Sequence, residues 1–260
     1  MRVGEIIFED PGSVERPLLV KYLFTSEKLS VQVHPDSRYA RAKGLARGKD
    51  EAWIILDAEP GATLGIGLTR PLSKAELRAA SRDGSIEALV DWRPVGAGDC
   101  FYSEAGTVHA IGAGVSLVEV QQNCDTTFRL YDYGRQRELQ LDDALAVART
   151  SAKAAAQQPR EIEPGRSLIA GGPCFVIERW TQAGSGRLVA RATQPLWLVP
   201  LAGSGEIDGR ALRPGEVWIA EGNSELSLGT DSNLLVAYES PARERIWTQR
   251  RRQGNARRID

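Results

Sequence analysis

The chain is poor in the residue types from which many binding sites are built. Among its 260 residues there are two histidines, one methionine and three cysteines. Cys100, Cys124 and Cys174 lie far apart with no C-x-x-C spacing, which argues against a thiolate zinc site and a disulfide framework and fits a reducing compartment. Neither sign of charge is in excess: 33 Lys and Arg against 34 Asp and Glu leave a formal net charge of -1. No overall field therefore points to nucleic acid or to a charged surface. No apolar run is long enough to span a bilayer, and the first ten residues turn acidic at Glu5, Glu9 and Asp10 before a secretory segment can form. These absences predict a cytoplasmic protein with a small-molecule partner, no nucleic acid and no membrane; no pattern specifies an oligomeric state. At 42% hydrophobic, the chain can bury one large core or two smaller ones.

What is present is a series of short strand-like runs. Leu18–Phe24 and Leu29–His34 are apolar and β-branched around a turn-like Thr25-Ser26-Glu27-Lys28, and read as a hairpin. Ala52–Ala58, Thr63–Leu68, Val115–Gln121 and Thr126–Tyr131 read as further strands. The rhythm breaks near 73–92, where Ser73 followed by Glu76 makes a capping box and Asp83-Gly84-Ser85 interrupts one or two short helices. Asp36–Gly48 reads as a loop with one helical turn, and the alanine-rich Asp142–Gln157 as a helix joining two halves. From about Arg166 the strand rhythm returns. Laying Gly215 on Gly98 with one residue of gap puts Gly222 on Gly106 and Glu225 on His109, so a β-unit is duplicated without its histidines. Many short strands with glycine-rich turns predict a mainly β protein of two jelly-roll barrels. The expected division is a first domain over 1–140, a connector over 141–165, a second domain without metal over 166–240 and a basic tail over 241–260. That arginine-rich tail reads as a solvated terminus, with contact to a phosphorylated partner as the alternative.

The two histidines organise the first half. Residues two apart on a strand share a face, so Gln32 and His34 project together while Val31 and Val33 pack on the other side. His109 ends a second alternating run, and Glu51 opens the strand that begins at Ala52. Two imidazoles, a carboxylate and an amide oxygen can hold a zinc-like divalent ion with one position left for water or substrate. The alternative is that each histidine is hydrogen-bonded in a core or turn. Downstream, Glu119–Tyr133 is dense in polar groups for a region between strands, and such groups need partners. A polyhydroxylated anion in a cleft would supply them, with Arg129 pairing to phosphate or stabilising an oxyanion; a satisfied turn network is the alternative.

The run from Leu18 to Asp36 with Gln32-Val33-His34-Pro35, then Lys49-Asp50-Glu51, Gly106-Thr107-Val108-His109-Ala110, and Gln121-Gln122-Asn123 through Asp125-Thr126-Thr127 to Arg129 and Tyr131-Asp132, resembles the type I mannose-6-phosphate isomerases, which are zinc-dependent cupins. The match covers about residues 4–135; the second half is similar only in rhythm, and the short length resembles the compact bacterial form. The resemblance implies a catalytic cupin domain, one zinc ion on Gln32, His34, Glu51 and His109, and active-site roles for Lys49, Glu119, Asp125 and Arg129. Of these, Lys49 and Arg129 would also touch substrate. Lys49 and Asp125 would be the acid and base, with Glu119 competing for the base. The implied reaction interconverts mannose 6-phosphate and fructose 6-phosphate through an enediolate. A cupin that binds a sugar phosphate without turnover, or an isomerase for another phosphorylated sugar, is the alternative. The leading Trp-Gly segment usual in the family is absent. Gly48 stands where larger relatives carry a histidine, so a ring-opening role for that histidine has no bearer. Lys21, Lys43 and Arg135 are available for a phosphate.

Overall fold

The structure, a computed structural model, describes residues 4–10, 12, 15–151 and 158–249. The backbone divides into two units, Met1–Gln158 and Pro159–Asp260. In the first, the elements run β1 (Glu5–Phe8), β2 (Leu18–Thr25), β3 (Val31–Val33), α1 (Ser37–Ala42), β4 (Glu51–Ala58), β5 (Thr63–Leu68), α2 (Lys74–Asp83), α3 (Ile86–Leu89), β6 (Val90–Pro94), β7 (Cys100–Ser103), β8 (His109–Ile111), β9 (Val115–Gln122), β10 (Phe128–Tyr131) and α4 (Leu141–Val147). They form two five-stranded antiparallel sheets, ordered β1-β2-β9-β4-β7 and β10-β3-β8-β5-β6. The protein is mainly β, as the strand rhythm predicts. Among the described residues no helix is long and apolar enough to cross a membrane.

The alternation of β3 sorts its residues as expected. Val31 and Val33 belong to an apolar cluster with Leu77 and Ile86 of the helical insertion and Ala144 of α4. Gln32, between them, lines a cleft on the opposite face. The inner faces of the two sheets meet over Trp53, Leu64, Ile66 and Leu117. In the insertion, Ser73 accepts from the Glu76 amide while the Glu76 side chain accepts from the Ser73 amide, and Gly84 closes α2 in the left-handed region at φ 84°.

Two local expectations are corrected. β2 and β3 do not pair: β2 lies between β1 and β9, and β3 between β10 and β8. The Thr25–Lys28 link is a corner between sheets, because β2 pairs along its whole length with β9 while the short β3 is taken up between β10 and β8. The connector helix ends at Val147, and residues 152–157 of the expected helix lie outside the described ones. After Val147 the backbone turns to other partners: the Arg149 amide donates to the Gly106 carbonyl, and the Leu72 amide to Thr150.

The second unit contains β11 (Arg160–Glu163), β12 (Arg166–Gly171), β13 (Phe175–Trp180), β14 (Gly184–Leu188), β15 (Leu196–Ala202), β16 (Gly205–Ile207), β17 (Arg210–Leu212), β18 (Trp218–Ala220), β19 (Ser224–Leu228), β20 (Asn233–Glu239) and β21 (Trp247–Gln249). Its orders are β11-β12-β13-β20-β15-β18 and β17-β16-β19-β14-β21, and they repeat those of the first with one strand, β11, added at an edge. Part of the arginine-rich end thus carries a strand, since Trp247–Gln249 pairs with β14; residues 250–260 lie outside the described ones.

The ladders allow a residue-by-residue comparison. His109 stands opposite Gln32 and Ile66; Leu226 stands opposite Gly186 and Ile207. Leu226, and not the Glu225 chosen by matching glycines, therefore occupies the place of His109. Glu225 faces outward against Arg187. By the same ladders His34, Glu51 and Glu119 correspond to Leu188, Leu196 and Val236, all within one apolar core.

Candidate active site

Four strands of the first unit bring the site together. His34 follows β3, Glu51 opens β4, His109 opens β8 and Glu119 lies in β9; all four are buried. Lys49 and Glu51 reach the interior together because alternate residues share a face, while Asp50 between them points the other way. The Asp50 carboxylate accepts from the Tyr102 hydroxyl at 2.7 Å and the Ala105 amide at 2.9 Å. Glycine at position 48 is a requirement of close approach: a Cβ there would lie 2.5 Å from the backbone of Asp36 and Ser37, just past the His34-Pro35 corner.

Each imidazole has its Nδ1 on a backbone carbonyl, His34 on Thr126 at 3.0 Å and His109 on Thr107 at 2.9 Å. That contact fixes Nδ1 as the protonated nitrogen of a neutral ring and leaves the Nε2 lone pair free. Both Nε2 atoms point at one carboxylate: His34 is 3.2 Å from Glu51 Oε1 and His109 is 3.4 Å from Glu51 Oε2. Burial pulls both imidazoles below the ordinary histidine range, His109 to about 4, against the opposing attraction of Glu51. Burial acts against the charge of Glu51 as well, but the Lys49 ammonium beside it holds the carboxyl well below the usual carboxylate range.

Neutral imidazoles facing a carboxylate place lone pair against lone pair. His34 Nε2 and Glu51 Oε2 are buried with no hydrogen-bond partner. A divalent cation fits this set: the ligand atoms of His34, Glu51 and His109 lie within 4.8 Å of one another. The two shorter separations match the roughly 3.3 Å between neighbouring donors bonded at about 2.0 Å to a tetrahedral ion. Gln32 lies beside this set, its amide nitrogen 3.3 Å from His109 Nε2; a half-turn of that carboxamide would present oxygen instead of nitrogen. Among the described residues this is the one His, Cys, Asp or Glu group able to hold a metal.

Above the cluster opens a cleft of about 440 Å³, lined by Gln32, Glu51, Lys49, Glu119, Lys21 and Arg135 among others. Burial opposes the charge of Lys49, but Glu51 and Glu119 outweigh it and raise the ammonium above its ordinary value; Nζ lies 3.1 Å from Glu51 Oε1. Burial and the Glu51 carboxylate push Glu119 up to about 7, although Lys49, Lys21 and a 2.9 Å hydrogen bond from Trp53 Nε1 favour its ionised form.

The structure thus brings Gln32, His34, Lys49, Glu51, His109 and Glu119 together. Arg129 lies one strand away, opposite Gln32, with its Nε buried and without a hydrogen-bond partner. Asp125 sits on the exposed turn after β9 and reaches Lys49 electrostatically. Lys43 pairs with Asp143 and is not among the cleft-lining residues, whereas Lys21 and Arg135 are. Sequence reasoning missed Trp53 as the partner of Glu119 and Asp50 as the anchor beneath Lys49 and Glu51. The only signal for Trp53 was its place two residues beyond Glu51, on the same face.

No protein-family model matches the chain. Over 224 residues it is 37% identical to the mannose-6-phosphate isomerase of Streptococcus mutans, covering 81% of this chain and 70% of that protein. Over 211 residues it is 34% identical to GmuF of Bacillus subtilis, described as a probable mannose-6-phosphate isomerase, covering 77% and 66%. In structure it is similar to the crystallised mannose 6-phosphate isomerase of Bacillus subtilis, with a TM-score of 0.69, 27% identity, and coverage of 85% of this chain and 75% of that one.

Proposed function

The chain belongs to the mannose-6-phosphate isomerase family, and on that premise we propose that it interconverts mannose 6-phosphate and fructose 6-phosphate in the first-unit cleft, with one zinc ion. The observation that carries the reading is the buried His34, Glu51 and His109 cluster beneath a cleft lined by both acidic and basic side chains. Gln32, His34, Glu51 and His109 would hold the metal, which when bound supplies a Lewis acid for the sugar's oxygens.

The reaction moves a proton between C1 and C2, so the site must take a proton from carbon, return it to the neighbouring carbon, and stabilise an enediolate meanwhile. Glu119, held near neutrality, is suited to take and return that proton. Lys49, kept cationic between two carboxylates, is suited to face the developing oxyanion and to move protons between the oxygens. Trp53 orients Glu119 from behind through its indole N–H. Lys21 and Arg135, cations on the cleft wall, are suited to the phosphate, and the half-buried Arg129, opposite Gln32, adds positive potential. Asp125, exposed on its turn, is better placed to hold Lys49 charged than to reach carbon.

The test is conversion of mannose 6-phosphate to fructose 6-phosphate by metal-replete protein and by protein stripped with chelator. Turnover that disappears on stripping and returns with zinc is expected. No turnover in the replete protein, or full turnover after complete stripping, overturns the reading. A panel of other aldose phosphates fixes the stereochemistry at C2, and solvent-proton exchange at C2 separates an isomerase from a protein that only binds.

A further inference from the structure

Gln121 is 1% exposed and stands directly opposite Glu51 on the neighbouring strand. Its Nε2 lies 3.1 Å from the carbonyl oxygen of Gln122 and 3.1 Å from that of Cys124. Two acceptors at one end settle which end of the amide is nitrogen. Both N–H groups are therefore committed to the turn that follows β9, and Oε1 is left buried with no hydrogen-bond partner.

The turn so held matters to the site. Thr126, two residues beyond Cys124, presents the carbonyl that receives His34 Nδ1, and Asp125 lies between them. On its other side the same turn is tied by Asn123, whose amide donates to Pro17 and whose Nδ2 donates to Arg16. The inner tie from Gln121 is the one on the same side as Glu51.

We propose that Gln121 is a positioning residue: it fixes the 122–126 turn, and through the Thr126 carbonyl it sets the tautomer and plane of His34 as a metal ligand. The inference rests on the metal reading above. Gln121→Met keeps the length of the side chain and removes both donors; Gln121→Glu keeps its shape and sets a carboxylate oxygen against the two carbonyls. Both leave β9 and its pairing to β4 intact.

The experiment titrates zinc against a competing chelator in wild type, Gln121→Met, Gln121→Glu and His34→Ala, and follows the imidazole N–H signals by NMR in each zinc-loaded protein. The expected result is zinc binding weakened about 10- to 100-fold in both Gln121 variants, with the His34 Nδ1–H signal shifted and that of His109 unchanged. Wild-type zinc affinity in either folded Gln121 variant overturns the proposal, as does equal disturbance of both histidine signals, which marks general loosening. If His34→Ala binds zinc as tightly as wild type, the metal reading itself fails; if it loses zinc while both Gln121 variants keep it, only the role of Gln121 falls.

Discussion

His109 and Glu119 show how much one environment changes two groups. At an ordinary pKa, His109 would titrate near neutrality and Glu119 well below it; burial reverses that order, putting the imidazole at about 4 and the carboxyl at about 7. His109→Ala removes one of the two imidazoles, so metal stoichiometry and turnover should fall together, turnover by about 100-fold or more. Metal analysis alongside kinetics checks this, and unchanged zinc content would remove His109 from the ligand set. Trp53→Phe acts on the other group. The indole N–H stabilises the carboxylate, so its loss raises the Glu119 pKa further. If the carboxylate is the working form, the acid limb of the pH–rate profile moves to higher pH, and an unmoved limb would take the base role from Glu119.

At the level of elements, the cleft rim is held by charge. Asp132, just after β10, accepts from both Arg135 and Arg137, and Arg135 also donates to the Lys28 carbonyl at the corner between β2 and β3. Burial opposes the charge of Asp132, but the two guanidiniums outweigh it and hold the carboxyl below its ordinary value. A folded pKa below the unfolded one contributes stability that is present above the unfolded value of about 4 and lost as pH falls through the folded value. Asp132→Asn should therefore be less stable than wild type at neutral pH, with the difference closing below pH of about 4. Denaturant melts at several pH values check it; a pH-independent gap would mean that packing and not charge is lost. Elements were the level most open to sequence reasoning. The Ser73 and Glu76 capping box was readable because a cap depends on residues three apart, and the face assignment of Gln32 because strand period is local. The β2–β3 hairpin misled for the same reason: two apolar strands with a polar link look alike whether they pair or turn a corner, and only the competition for partners, β9 against β3, separates them.

At the level of the whole chain, the two units share a strand order and differ in what fills them. Where the first holds His34, Glu51, Glu119 and His109, the second holds Leu188, Leu196, Val236 and Leu226 in its apolar core. Polar groups at such positions need a ligand to satisfy them, and leucines need none. Leu226→Ala should cost about 2–5 kcal/mol of stability by opening a cavity, with zinc stoichiometry unchanged at one per chain; thermal melts and metal analysis on the same sample check both halves. Loss of metal in that variant would contradict a metal site confined to the first unit.

The sequence by itself determined the chemical repertoire. With two histidines in the whole chain, the imidazoles able to ligate a metal were few enough to name, and strand alternation put Gln32 beside His34. What only the tertiary structure decided was charge and proximity. That the Nε2 atoms of His34 and His109 converge on Glu51, that Glu119 is held near neutrality, that Asp125 stays exposed while Arg129 Nε is buried, and that Leu226 and not Glu225 replaces His109 all depend on inter-strand register and desolvation. These are set between residues far apart in the chain, where local spacing carries no information.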